Sequence, residues 1–187
     1  VLMQAKDEEE FVDMLWTMSQ YEGGPIAIRY TRGVGTGAKP KDKPELLEIG
    51  EAEVVQDGRD VDLFGLGNLF ELAEEEGRKL EKLGFSVALI NPRWIKPMDT
   101  KCLELYAGKC QVICTLEDHV LINGFGCGVM EHLSSQNIHT PVERVGWPDA
   151  FIQHGGVSVL RAKHGLTVDT VVEKVLRHLN SRGTKKP

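Results

Sequence analysis

Short apolar runs alternate with amphipathic stretches along the chain, and their periods separate strands from helices. Residues 1–5 (VLMQA) read as a short strand. Asp7 then caps a helix, and Glu10 three residues on completes a capping box. Phe11, Val12, Met14, Leu15 and Met18 give that helix an apolar face to about Ser19, and Gly23-Gly24-Pro25 ends it. Residues 26–30 form the next strand. A strand, a helix and a strand of this length suit a parallel pair. Two strands and a helix bury too little alone, so they are expected to belong to a sheet whose remainder lies outside the chain.

Residues 33–44 (GVGTGAKPKDKP) change character and read as a solvated linker. After it the alternation is regular. Strands are expected at 52–56, 61–66, 85–90, 111–116 and 142–145, the first as an edge strand turning back at Asp57-Gly58. Helices are expected after Asn68 (as cap, with Glu71 three on), at 100–107, at 124–134, at 157–164 and at 168–181. Leu69, Leu72, Ala73, Leu80 and Leu83 share one face of the first, and Gly84 stops it. Such alternation predicts an α/β fold, a three-layer α/β/α arrangement around a mainly parallel sheet, preceded by the strand-helix-strand piece of a second α/β domain.

Composition narrows the function. The 187 residues are 41% hydrophobic and 27% charged, enough for a packed core. Twenty-two Lys and Arg against 28 Asp and Glu leave a net charge of −6, with no basic stripe for nucleic acid. No apolar run approaches the ~20 residues that span a bilayer, and no signal peptide is visible. Cys102, Cys110, Cys114 and Cys127 form no C-x-x-C pair and no disulfide scaffold, so a cytoplasmic location is expected. The C-x3-C spacing, with His119 the nearest further ligand, does not make a zinc site. The start, VLMQAKD, is already in mid-strand, and the chain is expected to be a piece of a longer protein.

Four local patterns could carry chemistry. Gly65-Leu66-Gly67 stands between a strand and a helix, as a dinucleotide fingerprint would, but position 70 is Phe; a tight turn is the favoured reading. The glycine-led segment 124–128 (Gly124, Gly126, Gly128) opens a helix whose amides could hold an anion, although close packing explains it more simply. Glu117-Asp118-His119 sits at a strand's carboxyl end; neighbours on a strand point opposite ways, which favours Glu117 as a brace over an acid/base pair. Arg29 and Arg32 flank Tyr30 before a glycine loop, where a guanidinium suits phosphate or carboxylate.

Longer blocks carry a resemblance. GGPIAIRYTRGVGTG (23–37), LEIGEAEVVQDGRDVDLFGLG (47–67), NPRWIKPMD (91–99), TLEDHVLINGFGCGVMEHL (115–133) and VGWPDAFIQHG (145–155) stand in an order and spacing similar to the 1-deoxy-D-xylulose-5-phosphate synthase family. Thr31 stands where that family usually has Pro, and Cys127 and Asp118-His119 also depart from its pattern. The resemblance implies a thiamine diphosphate and Mg2+ enzyme of isoprenoid precursor synthesis, a homodimer that condenses pyruvate with D-glyceraldehyde 3-phosphate and releases CO2. It places residues 1–36 at the end of the pyrimidine-binding middle domain, 37–48 in a linker and 49–187 in a transketolase-like carboxyl-terminal domain. It implies that cofactor, metal and catalytic residues lie outside this chain, which alone would be inactive. It also implies that Arg32 contacts the aldehyde substrate's phosphate. The alternatives are the carboxyl-terminal region of a transketolase or of a 2-oxoacid dehydrogenase beta subunit, or a non-catalytic assembly module.

Overall fold

The computed structural model describes residues 1–39 and 41–181. Pro40, in the segment read as a linker, and residues 182–187, the end of the expected carboxyl-terminal domain, lie outside the described residues. In chain order the elements are β1 (Leu2–Gln4), α1 (Glu8–Gln20), β2 (Ala27–Arg29), β3 (Glu53–Gln56), β4 (Val61–Gly65), α2 (Phe70–Lys82), β5 (Val87–Asn91), β6 (Trp94–Lys96), α3 (Thr100–Lys109), β7 (Val112–Val120), α4 (Phe125–Ser135), β8 (Val142–Trp147), α5 (Val157–Lys163) and α6 (Val168–Ser181).

Five strands form the larger sheet in the order β3-β5-β4-β7-β8. All neighbours are parallel except the edge strand β3, which runs antiparallel to β5. The expected hairpin at Asp57-Gly58 is therefore corrected: β3 pairs with β5 and not with β4. Alternation along β4 sends Val61 and Leu63 to one face and Phe64 to the other. The first face packs on α2 and α6 through Leu69, Ala73, Leu80, Val171 and Val175. The second packs on α3 and α4 through Leu103, Tyr106, Val129 and Leu133. This is the three-layer α/β/α arrangement the alternation predicts.

The smaller sheet, β2-β1-β6, has one strand more than the sequence reading placed there. β1 and β2 pair in parallel as read, but a third strand comes from within the chain: β6 lies antiparallel on the other side of β1, with Trp94 opposite Met3. The sequence reading missed β6 because three residues after Pro92 show no period. Trp94, fully buried, closes a small core with Met3 and Met14, and its Nε1 donates to the Glu51 carbonyl at 3.0 Å.

α1 is capped as read, with the Asp7 carboxylate accepting from the Glu10 amide at 2.8 Å. Glu10 itself reaches further than a capping box. Its Oε2 accepts from the Lys6 amide (2.8 Å), and its Oε1 accepts from Asn91 Nδ2 and Arg93 Nε, both at 2.7 Å. The apolar face expected for α1 is only partly inward: Leu15 and Trp16 are exposed, while Glu10, Asp13, Met14 and Thr17 are buried. The polar members of that stripe hold the glycine- and lysine-rich segment. Asp13 accepts from Lys41 Nζ (3.1 Å) and the Glu45 amide (2.7 Å), and Thr17 Oγ1 accepts from the Leu47 amide (2.9 Å).

Candidate functional site: a cleft at the switch point of the sheet

β5 lies on one side of β4 and β7 on the other. The connections leaving this point run in opposite directions, and a crevice opens beyond the carboxyl ends of the two strands, where open α/β sheets bind ligands. A cleft of about 540 Å³ lies there. Asn68, in the 3-10 turn after β4, and Asp118, near the end of β7, line it from the larger sheet. Lys6, Tyr30 and Arg32 line it from the amino-terminal part, and Val157 and Arg161 from α5.

Asp118 is the tie point of this floor. Its Oδ2 accepts from Asn68 Nδ2 at 2.8 Å, its Oδ1 accepts from Trp147 Nε1, and its carbonyl accepts from Arg29 Nη2 at 3.2 Å. Asn68 therefore does not cap α2, as the sequence suggests. Leu69 occupies the cap position with no side-chain bond, because a 3-10 turn over Gly67–Leu69 precedes the helix and Asn68 is turned to Asp118.

Next to Asp118, Glu117 points the other way, as strand alternation requires. Its carboxylate accepts from the Phe125 amide (2.6 Å) and the Gly126 amide (2.9 Å) at the start of α4. The anion at that helix terminus is thus the chain's own, and Glu117 is a brace. Burial pushes its carboxyl above the ordinary range, against the pull of the two amides and the charges of His119 and Arg144. The approach requires glycine. A Cβ on Gly124 would lie 2.2 Å from Glu117 Oε2, and one on Gly126 would lie 2.5 Å from Thr115 Oγ1. Gly65-Leu66-Gly67 is likewise a packing turn. Gly67 has φ +60°, and a Cβ there would lie 2.2 Å from Gln4 Nε2, so β1's side chain fills the position a nucleotide phosphate would need.

Subtracting the internal bonds leaves few free charges in the cleft. Asp7 is spent on its cap. Glu8 accepts from Thr36 Oγ1 (2.7 Å) and the Gly37 amide (2.9 Å), which draw its pKa down to about 2. Lys6 Nζ donates to Glu53 Oε2 at 2.5 Å and lies 5.7 Å above the Phe70 ring. Arg32 is exposed and, among the described residues, has no hydrogen-bond or ion-pair partner. β2 ends at Arg29, so strand alternation does not run on to Arg32; Arg29 braces β7 while Arg32 opens on the cleft. Asn68 and Arg161 were missed as lining residues. The four-residue spacing of Val157 and Arg161, which puts both on one face of α5, was the available signal.

Among the described residues, no cysteine lines the cleft. The four cysteines are free thiols, and burial pushes Cys102 and Cys110 up to about 12. Among the described residues, no group of three or more His, Cys, Asp or Glu gathers to hold a metal. No described helix is long and apolar enough to cross a membrane.

The family model described as transketolase, C-terminal domain, matches residues 50–171. The 1-deoxy-D-xylulose-5-phosphate synthase of Methylacidiphilum infernorum (isolate V4) is 48% identical over 183 residues, covering 96% of this chain and 29% of that protein. The same enzyme of Acidobacterium capsulatum is 46% identical over 179 residues, covering 96% of this chain and 28% of that protein. The chain thus spans less than a third of the length of these curated relatives. Among solved structures, a split gene transketolase in an inactive beta4 tetramer superposes with a TM-score of 0.84 at 29% identity, covering 96% of this chain and 57% of that one. Transketolase from Campylobacter jejuni shares the fold, with a TM-score of 0.62 at 17% identity over 94% of this chain and 26% of its own.

Proposed function

The chain belongs to the transketolase C-terminal domain family, and from that premise we propose that it is the carboxyl-terminal part of a 1-deoxy-D-xylulose-5-phosphate synthase. The whole protein condenses pyruvate with D-glyceraldehyde 3-phosphate and releases CO2. It works in the cytoplasm as a homodimer; light scattering of the intact protein should give twice the protomer mass, and a strict monomer would reject the dimer. Residues 1–36 are the end of a middle domain, 37–48 its linker and 49–187 the carboxyl-terminal domain.

Thiamine diphosphate and Mg2+ are the cofactors of the whole protein in this reading. The cleft's own donors do not fit a magnesium diphosphate. Asp7, Glu8 and Asp118 already accept hydrogen bonds from within the chain, which leaves Glu71 as the unspent carboxylate among the described residues of the cleft. Cofactor and metal therefore belong to the part of the protein outside this chain. The role of this part is to present the aldehyde substrate.

One observation carries that role: Arg32 is unpartnered and lines the cleft at the switch point. Only the aldehyde substrate bears a phosphate, and a guanidinium bound to it makes a charge-assisted pair. Arg32→Ala in the intact enzyme should raise KM for D-glyceraldehyde 3-phosphate by roughly 10- to 100-fold, and KM for pyruvate far less. Arg32→Lys should recover part of the loss, since an ammonium keeps the charge without the fork. Arg29→Ala is the control, because its Nη2 is committed to the Asp118 carbonyl. Equal rises of both Michaelis constants in Arg32→Ala, or the same selective rise in Arg29→Ala, would reject Arg32 as the phosphate ligand.

A further inference from the structure

The segment that leaves β2 is fastened to α1 at two points, and Arg32 lies between them. Tyr30 packs edge-on against Phe11, with ring centroids 5.7 Å apart. Further on, both oxygens of the Glu8 carboxylate hold the strap. Oε2 accepts from the Thr36 amide (3.2 Å) and from Thr36 Oγ1 (2.7 Å), and Oε1 accepts from the Gly37 amide (2.9 Å). Glu8 and Phe11 stand one turn apart on α1, so both fasteners share a face of that helix, and both residues line the cleft. Among the described residues, Arg32 to Gly35 make no hydrogen bond of their own. Without Glu8 the chain would run free from Tyr30 to the next hold, where Asp13 accepts from Lys41 Nζ and the Glu45 amide.

The strap's sequence is cut to this clasp. A Cβ on Gly35 would overlap Glu8 Oε1 and Cδ, and its three nearest atoms would all belong to Glu8. The φ of Gly35 is not in the left-handed region, so what the position excludes is a side chain and not a backbone angle. The Thr36 hydroxyl and the Gly37 amide hold the Glu8 carboxyl near a pKa of about 2, and the clasp stays ionised at neutral pH.

We infer that Glu8 is a positioning residue for the reaction: it touches no substrate, and it clasps the strap so that Arg32 is presented to the cleft in one place. The inference rests on the reading of Arg32 above and adds a residue on a different element that acts through it. A strap ordered in advance spares the substrate that meets Arg32 the entropy of ordering it on binding. Pyruvate gains nothing from the clasp.

The test is a mutant cycle in the intact enzyme. Glu8→Ala should raise KM for D-glyceraldehyde 3-phosphate by about 5- to 20-fold and leave KM for pyruvate within about twofold. Gly35→Ala leaves α1 untouched and pushes the Glu8 carboxylate aside, so it should give the same selective rise. The double variant should be no worse than Glu8→Ala alone, because the added methyl group then has no carboxylate to displace. Glu8→Gln keeps one acceptor oxygen and should recover part of the loss. Trypsin should cut after Arg32 several-fold faster in Glu8→Ala and in Gly35→Ala than in the wild type. Additive effects of the two substitutions, an unchanged KM in Gly35→Ala, or equal rises for both substrates in Glu8→Ala would overturn the inference. A selective rise in Arg32→Ala with none in Glu8→Ala removes the clasp and leaves the proposed function standing. No selective rise in either variant removes the proposed function as well.

Discussion

The carboxyl group of Asp62 lies on β4, fully buried, with no hydrogen-bond partner at either oxygen. Alternation turns it toward α3, away from the side that Val61 and Leu63 share. Desolvation pushes its pKa well above the ordinary 3.8. A raised acid binds its proton more tightly folded than unfolded, so its favourable contribution is complete below about pH 4 and is lost as pH rises toward the folded value. Asp62→Asn removes that loss. The variant should therefore be more stable than the wild type at pH 8, by an amount that shrinks toward pH 4, in urea unfolding at both pH values. Glu76, buried on α2 and raised by desolvation and by Glu143, works in the same direction, so the variant should keep some of the slope. A difference that is the same at both pH values would show that Asp62 is not protonated in the fold.

Among elements, α1 and the segment after β2 are the least conventional pair. The hydrophobic period of α1 points to Leu15, yet the buried stripe is Glu10, Asp13, Met14 and Thr17, because the polar groups bind backbone amides of the following segment. The same segment offers trypsin few sites, since Lys39 and Lys43 each precede proline. Cleavage is expected after Lys41 and at Arg32, and slowly. Asp13→Ala removes the acceptor for Lys41 and the Glu45 amide and should speed the cut after Lys41 several-fold in a timed digest; an unchanged rate would mean the strap contributes nothing. What could be read from the sequence follows the strength of the local signal. β5 opens on a continuous apolar run, β4 and the first half of β7 are mostly apolar, and α2 and α6 repeat Leu and Val at helical spacing, so the larger sheet and its cover were legible. β6 and the turn of Asn68 toward Asp118 were not, since each is defined by a partner distant in sequence: Met3 for Trp94, Asp118 for Asn68. Of the cleft, Arg32 could be seen through the family-like block around it, whereas Arg161 needed the fold.

At the scale of the whole molecule, the two sheets are joined by more than the chain between them. Lys6, Glu10 and Arg93 from the smaller unit meet Glu53 and Asn91 at the edge of the larger one, with Arg93 Nη2 at 3.4 Å from Glu53 Oε2. Produced alone, residues 49–187 are expected to fold, since the three-layer core lies within them. Trp94 would then lose the cover of Met3 and Met14, and its fluorescence should shift to the red relative to the full chain carrying Trp16→Phe, which removes the exposed tryptophan that the shorter piece also lacks. An unshifted spectrum would mean that the larger unit buries Trp94 by itself.

The pairing of β1 with β6 also sets an order of events during synthesis. Met3 leaves the ribosome roughly ninety residues before Trp94, its partner across the sheet. At the usual ~5–20 residues per second, β1 waits on the order of 5–20 s for that strand. Through this interval the methionines of β1 and α1 have no tryptophan to cover them, and the nascent segment is a natural client for a chaperone.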